Sequence, residues 1–170
     1  MQSKQGDRTI LAALSLVGAR VSRHGSTAAA MYDHLRAIQL SVADTPDLVP
    51  PLAIVAAFAE GTSKFSGVQR LRLKESDRLQ SITAAISALG GRAYIEGDDT
   101  LVIEGHGSLD GGSADGESDH RIVMMAAIAA SFANNPTTVT HAEAIAKSYP
   151  AFFEDFRALG GKAELTDTTE

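Results

Sequence analysis

The chain has 170 residues, 44% of them hydrophobic and 21% charged, a size and balance suited to one soluble domain with its own core. Its net charge of −6, from 15 basic and 21 acidic residues, argues against a general binder of nucleic acid or anionic membrane. A small anionic ligand stays possible, because it needs only a few cations in one cleft. With no cysteine, disulfides, thiolate metal sites and cysteine nucleophiles are excluded.

Residues 1–8 are polar and hold no apolar h-region, so no secretory signal is read there and a cytoplasmic protein is expected. The first predicted element is a helix from Ile10 that runs into Gly18 and then a strand around Val21. A more apolar helix, 48–59, follows Asp47 and ends at Glu60-Gly61, before a β-prone run at 62–68. The charged run from Arg72 to Arg78 opens the next helix, 79–89. Its Leu79, Ile82, Ile86 and Leu89 step by 3, 4 and 3 onto one face.

A hairpin is expected over 92–104, with its turn at Gly97-Asp98-Asp99. The glycine-rich stretch 105–116 reads as a surface loop; its Gly105-x-Gly107 start precedes no helix at dinucleotide-motif spacing. Asp119 introduces a second apolar helix, 122–133, which is too short to span a bilayer. Then come a strand at 137–140, a helix at 152–159, a closing Gly160, a strand at 162–165 and a frayed tail at 166–170.

These elements repeat. Helix-closing glycines stand at 18, 90 and 160, steps of 72 and 70. Asp47 and Asp119 are 72 apart, and Lys74 and Lys147 are 73 apart. The pattern gives one complete unit, 36–108, and two partial ones, 1–35 and 109–170. A full unit carries two helices and three or four strands, in an α/β (mixed α+β) domain.

Three charged clusters lie at helix starts: Arg72 to Arg78, Ser118-Asp119-His120-Arg121, and Lys147-Ser148-Tyr149-Pro150. Capping explains the acids and serines, since Ser76, Asp77, Ser118 and Asp119 are favoured N-cap residues. It does not explain Lys74, Arg78, Arg121 and Lys147, which sit where the helix dipole disfavours cations. Either these are unrelated surface charges, or an anion shared among the helix ends accounts for them. Glu75 lies among the bases, and Asp47 is either a base of the same site or a cap beside Pro46, Pro50 and Pro51. The five histidines (24, 34, 106, 120 and 141) show no ligand spacing; apart from His120 they read as surface or structural residues.

Leu73-Lys74-Glu75-Ser76-Asp77-Arg78-Leu79 resembles the K-E-[ST]-D-R-L signature of the EPSP synthase (3-phosphoshikimate 1-carboxyvinyltransferase) family. Asp119-His120-Arg121-Ile122-Val123-Met124 resembles its D-H-R-[IM]-x-M signature. Ala146 to Pro150 is similar to its last lysine segment, and Pro46-Asp47 to its catalytic aspartate.

The resemblance implies repeated βαβαββ units around a pseudo-threefold axis, with helices packed inside and sheets outside. It implies that 1–170 is most of the second domain of a two-domain enolpyruvyl transferase whose N-terminal domain is absent. It also implies transfer of the carboxyvinyl group of phosphoenolpyruvate to the 5-hydroxyl of shikimate 3-phosphate, with release of phosphate. Asp47, Glu75 and Lys147 would be catalytic. Lys74, Arg78, His120, Arg121 and Lys147 would bind substrate. No metal or organic cofactor is implied, and neither nucleic acid nor membrane is an expected partner. Arg70 departs from an asparagine of some members. Alone, such a chain is expected to bind its ligands weakly and to be inactive. The UDP-N-acetylglucosamine enolpyruvyl transferase shares the architecture but differs at K-E-S-D-R, and a non-catalytic assembly module of the same fold is a further alternative.

Overall fold

The computed structural model describes residues 9–31 and 34–166. A short helix α1 (Ile10–Leu16) leads into the hairpin β1 (Arg20–His24) and β2 (Thr27–Met31). The complete unit follows: β3 (Gln39–Ser41), α2 (Val49–Ala57), β4 (Glu60–Ser66), α3 (Arg78–Ala88), β5 (Arg92–Glu96) and β6 (Thr100–His106). The last unit holds β7 (Gly112–Asp115), α4 (His120–Ala130), β8 (Thr137–Thr140) and α5 (Phe152–Ala158).

The repeat is visible in the pairing. β3 runs parallel to β4 with Leu40 opposite Phe65, and β7 runs parallel to β8 with Ala114 opposite Val139. Each parallel pair is bridged by the apolar helix of its unit, α2 or α4, as a parallel connection demands. In the complete unit the hairpin β5–β6 adds to β4, giving the order β3-β4-β6-β5. The three closing glycines, Gly18, Gly90 and Gly160, all have positive φ, so each helix stops in the left-handed conformation that its sequence position predicts.

Apolar faces explain the layers. Leu79, Ile82 and Ile86 of α3 are fully buried, and so are Leu52 and Ala53 of α2 and Ile122 and Ala126 of α4. These three helices contact one another inside, while β4 and β6 cover them with Phe65, Leu101 and Ile103. A second cluster seats α5, with Phe152 and Phe156 stacked at 5.8 Å over Val123 and Ile145.

Several expectations are corrected. No strand forms at 162–165 among the described residues; Leu165 is 69% exposed, and a single extended segment without a partner leaves its backbone groups unpaired. The stretch 105–116 is not a plain loop. β6 continues to His106, held by pairing to Glu60, and β7 occupies Gly112–Asp115 with Leu109 and Ala114 buried. Glu60 and Gly61 open β4 and do not end α2, which stops at Ala57. Between β4 and Lys74 stands the short 3-10 turn Gln69–Leu73, and between β8 and the end of the lysine segment the turn Ala142–Lys147, which Lys147 closes. The polar start at 1–8 and most of the tail, 167–170, lie outside the described residues. Among the described residues no helix is long and apolar enough to cross a membrane.

Candidate active site

The starts of α3 and α4 and the turn before α2 meet at one corner. Asp77 caps α3 by accepting from the Gln80 amide at 3.2 Å, which fixes Arg78 as the first helical residue. Asp119 caps α4 by accepting from the Arg121 amide at 2.9 Å. Both caps therefore aim a neighbouring base, and both bases turn toward Asp47.

Arg78 is the centre of this corner. Its side chain is 2% exposed, and its Nε and Nη2 donate to the two oxygens of the fully buried Asp119 at 2.9 and 3.2 Å. Its Nη1 donates to Asp47 Oδ1 at 2.9 Å. This bidentate fork is the geometry in which a guanidinium–carboxylate pair is strongest. Ser76 donates to Asp119 Oδ2 at 3.2 Å and itself accepts from Ser81 at 2.9 Å.

Asp47 receives three cations. Lys74 Nζ lies 3.0 Å from its Oδ1, Arg78 Nη1 2.9 Å from the same oxygen, and Arg121 Nη2 3.6 Å from its Oδ2. Burial pushes the Asp47 carboxyl up. The Lys74 hydrogen bond and the charges of Arg121, Lys74 and Arg78 outweigh that and hold it below the usual carboxylate range. For Asp119, burial likewise raises the carboxyl, and the Arg78 bonds, the Arg121 amide, the Arg78 charge and the Ser76 hydroxyl together bring it lower.

The remaining predicted residues adjoin this group. His120 Nδ1 lies 2.8 Å from Glu75 Oε2, a contact across which one proton can be shared. Glu75 is the more exposed partner of the pair. Lys147 does not reach Asp47; its Nζ donates to the Ser118 carbonyl at 2.7 Å, one residue before Asp119. Lys74, Arg78 and Arg121 thus share one carboxylate, Glu75 and His120 form a pair beside it, and Lys147 is held on the turn that leads into it.

Arg78 is placed differently from an open substrate arginine. Three of its N–H groups are committed to carboxylates, so a ligand meets at most the two that remain. Asp119 is the functional residue that sequence reasoning passed over. Its N-cap role was legible, but its partner stands 41 residues earlier, and only its equivalence to Asp47 hinted at more. Ligand atoms of Glu75, Asp119 and His120 lie within 4.8 Å of one another. Both Asp119 oxygens already accept from Arg78, however, so a metal ion there would compete with a buried guanidinium. A cleft of about 490 Å³ between α3 and β5 is a poorer candidate, because its Ser81 hydroxyl is spent on Ser76 and its Thr83 hydroxyl on carbonyls of its own helix.

Comparison with known proteins matches the chain to one group. The family model for EPSP synthase (3-phosphoshikimate 1-carboxyvinyltransferase) matches residues 1–156. The 3-phosphoshikimate 1-carboxyvinyltransferase of Methanocella arvoryzae is 42% identical over 165 residues, covering 96% of this chain and 39% of that protein. That of Clostridium kluyveri is 38% identical over 162 residues, covering 95% of this chain and 38% of the other. The solved EPSP synthase of Acinetobacter baumannii superposes with a TM-score of 0.75 at 27% identity, over 93% of this chain and 40% of that one. The chain therefore spans well under half the length of the relatives it matches. By the family match, the sequence identities and the shared fold together, it belongs to the EPSP synthase family.

Proposed function

We propose that this chain supplies one wall of an enolpyruvyl-transfer site that joins phosphoenolpyruvate to the 5-hydroxyl of shikimate 3-phosphate and releases phosphate. In this reading it is most of the second domain of a two-domain transferase, working in the cytoplasm. The observation that carries the proposal is the convergence of Lys74, Arg78 and Arg121 on Asp47. Such a cation cluster, fixed by caps and a buried fork, is preorganised for an anionic ligand and for the negative charge of a tetrahedral adduct.

The residues divide by chemistry. Arg121, Lys147 and the remaining N–H groups of Arg78 bind the carboxylate and phosphate of phosphoenolpyruvate, and Lys74 contacts shikimate 3-phosphate. Asp47 takes the proton of the attacking hydroxyl. Glu75, with His120 at its side, exchanges a proton with the methylene carbon: one is delivered as the carbon–oxygen bond forms, and one is removed as phosphate leaves. As it stands, Asp47 is a weak base, because its cations hold it ionised. An anion that draws Lys74 and Arg121 to itself raises the Asp47 carboxyl, so the base strengthens only when the anionic ligands are in place.

The test is an amide chemical-shift titration of the labelled chain with phosphoenolpyruvate and with shikimate 3-phosphate. Shifts concentrated at Asp47, Lys74 and Arg121 are expected at millimolar ligand, since half a site binds weakly. No shift at those residues with either compound would sink the proposal. The purified chain alone is expected to turn over neither substrate. Adding the N-terminal part of a relative is expected to restore phosphate release that depends on both.

A further inference from the structure

All three described non-glycine residues with positive φ lie at one place, the corner where β7 and β8 end: Glu117 and Ser118 at 51° each, and His141 at 52°. Glu117 and Ser118 form the turn from β7 into α4, and His141 opens the turn Ala142–Lys147 after β8. Non-glycine residues hold this conformation only where their surroundings impose it, and such outliers gather at functional sites.

The bonds that impose it run through one carboxylate. Asp115, the last residue of β7, accepts from the Glu117 amide at 2.7 Å and contacts His141 Nδ1 at 2.6 Å, both on Oδ1. Above them Gly116 donates to the Thr140 carbonyl at 3.0 Å, and Asp119 donates to the Gly116 carbonyl at 2.8 Å. At the other end of the same two turns Lys147 Nζ meets the Ser118 carbonyl. The turns are thus joined twice, at the base by Asp115 and His141 and at the tip by Ser118 and Lys147.

We propose that Asp115 and His141 are positioning residues that lock the Glu117-Ser118 turn and the Ala142–Lys147 turn together, so that Lys147 is held over the start of α4. That Lys147 is thereby offered to an anion rests on the function proposed above. The lock is pH-sensitive. The Asp115 hydrogen bond and charge, with Glu143 of the same turn and Glu117 opposite also facing the imidazole, lift His141 above its ordinary value. The amide of Glu117 and the bond to His141 hold Asp115 below its own. The charge-assisted bond is complete below the raised His141 value and weakens as pH rises through it.

The experiment follows the labelled chain by NMR from pH 5 to pH 9, with sulfate as the probe because its charge is constant over that range. The Glu117, Ser118 and Lys147 signals are expected to titrate together with the His141 ring protons, at a midpoint above 6.5. H141Q should abolish that shared titration, and D115N should shift the Glu117 amide. Sulfate-induced shifts at Lys147 should weaken in H141Q at pH 6 while those at Lys74 persist. Lys147 and Ser118 signals that ignore the His141 titration would overturn the proposal, as would an unmoved Glu117 amide in D115N. Shared titration without any sulfate effect would uphold the lock and refute the anion role of Lys147 alone.

Discussion

Asp119 holds Arg78 in a buried fork; removing Arg78 would strand the Asp119 charge in the core, whereas removing the Asp119 charge leaves Arg78 with the partly exposed Asp47 as its one counter-ion. Asp119→Asn is expected to destabilise the chain by about 3 kcal/mol, the low end for a broken buried pair because Asp47 still faces Arg78, read from the urea midpoint. Replacing both residues by apolar ones of similar volume should recover much of that loss, because the pair's own desolvation disappears with it. The same carboxylates set the acid limb. Asp47 and Asp119 have folded values below 3.8, so the unfolded chain takes up protons first as pH falls. Their contribution is complete above the unfolded value and is lost on descending through the folded one. The urea midpoint should therefore fall steeply below about pH 4 and stay flat just above pH 5. In Asp47→Asn that fall should be shallower.

At the scale of elements, the turn between β7 and α4 carries strain that glycine would relieve. Ser118→Gly is expected to stabilise the chain by up to about 1 kcal/mol in thermal melts, after the added unfolded-state entropy is counted. Gly116→Ala should do the opposite, since a Cβ there would stand 2.7 Å from the Thr140 carbonyl oxygen and 2.5 Å from Val123 Cγ2. These turns also mark where sequence reading stopped. Helix ends were legible from Gly18, Gly90 and Gly160, whose role depends only on local backbone geometry. α3 was legible from the spacing of Leu79, Ile82 and Ile86. The three-residue β3 carries too little pattern to be read, and the missing strand at 162–165 depended on a partner edge that no local signal reports. The strain at Glu117 and Ser118 was invisible because neither residue type announces a left-handed conformation.

At the scale of the molecule, the repeat was the most informative property of the chain. Asp47 and Asp119 precede the equivalent helices α2 and α4, so the fold itself brings the two acids together around Arg78, although only Asp119 caps its helix. The 72-residue offset between the two acids was readable. That Arg78 bridges them was not, because a contact across 41 residues and one across 31 are fixed by the packing of α2, α3 and α4. α5 lies outside the main core and is seated chiefly through Phe152 and Phe156. Phe156→Ala is expected to cost about 3–5 kcal/mol locally and to release α5 amides to hydrogen exchange well before those of α3.

The two-stranded sheet β7–β8 has a consequence for handling the protein in solution. Among the described residues β8 pairs only with β7, so the other side of Thr137–Thr140 is a short, uncharged row of backbone donors and acceptors. What discourages two such rows from meeting is the charge of −6 that every molecule carries at neutral pH. That repulsion vanishes near the isoelectric point of about 5.3. Light scattering should therefore rise as the buffer is taken from pH 7 toward pH 5, and Thr138→Lys, which plants a cation on the open row, should suppress the rise.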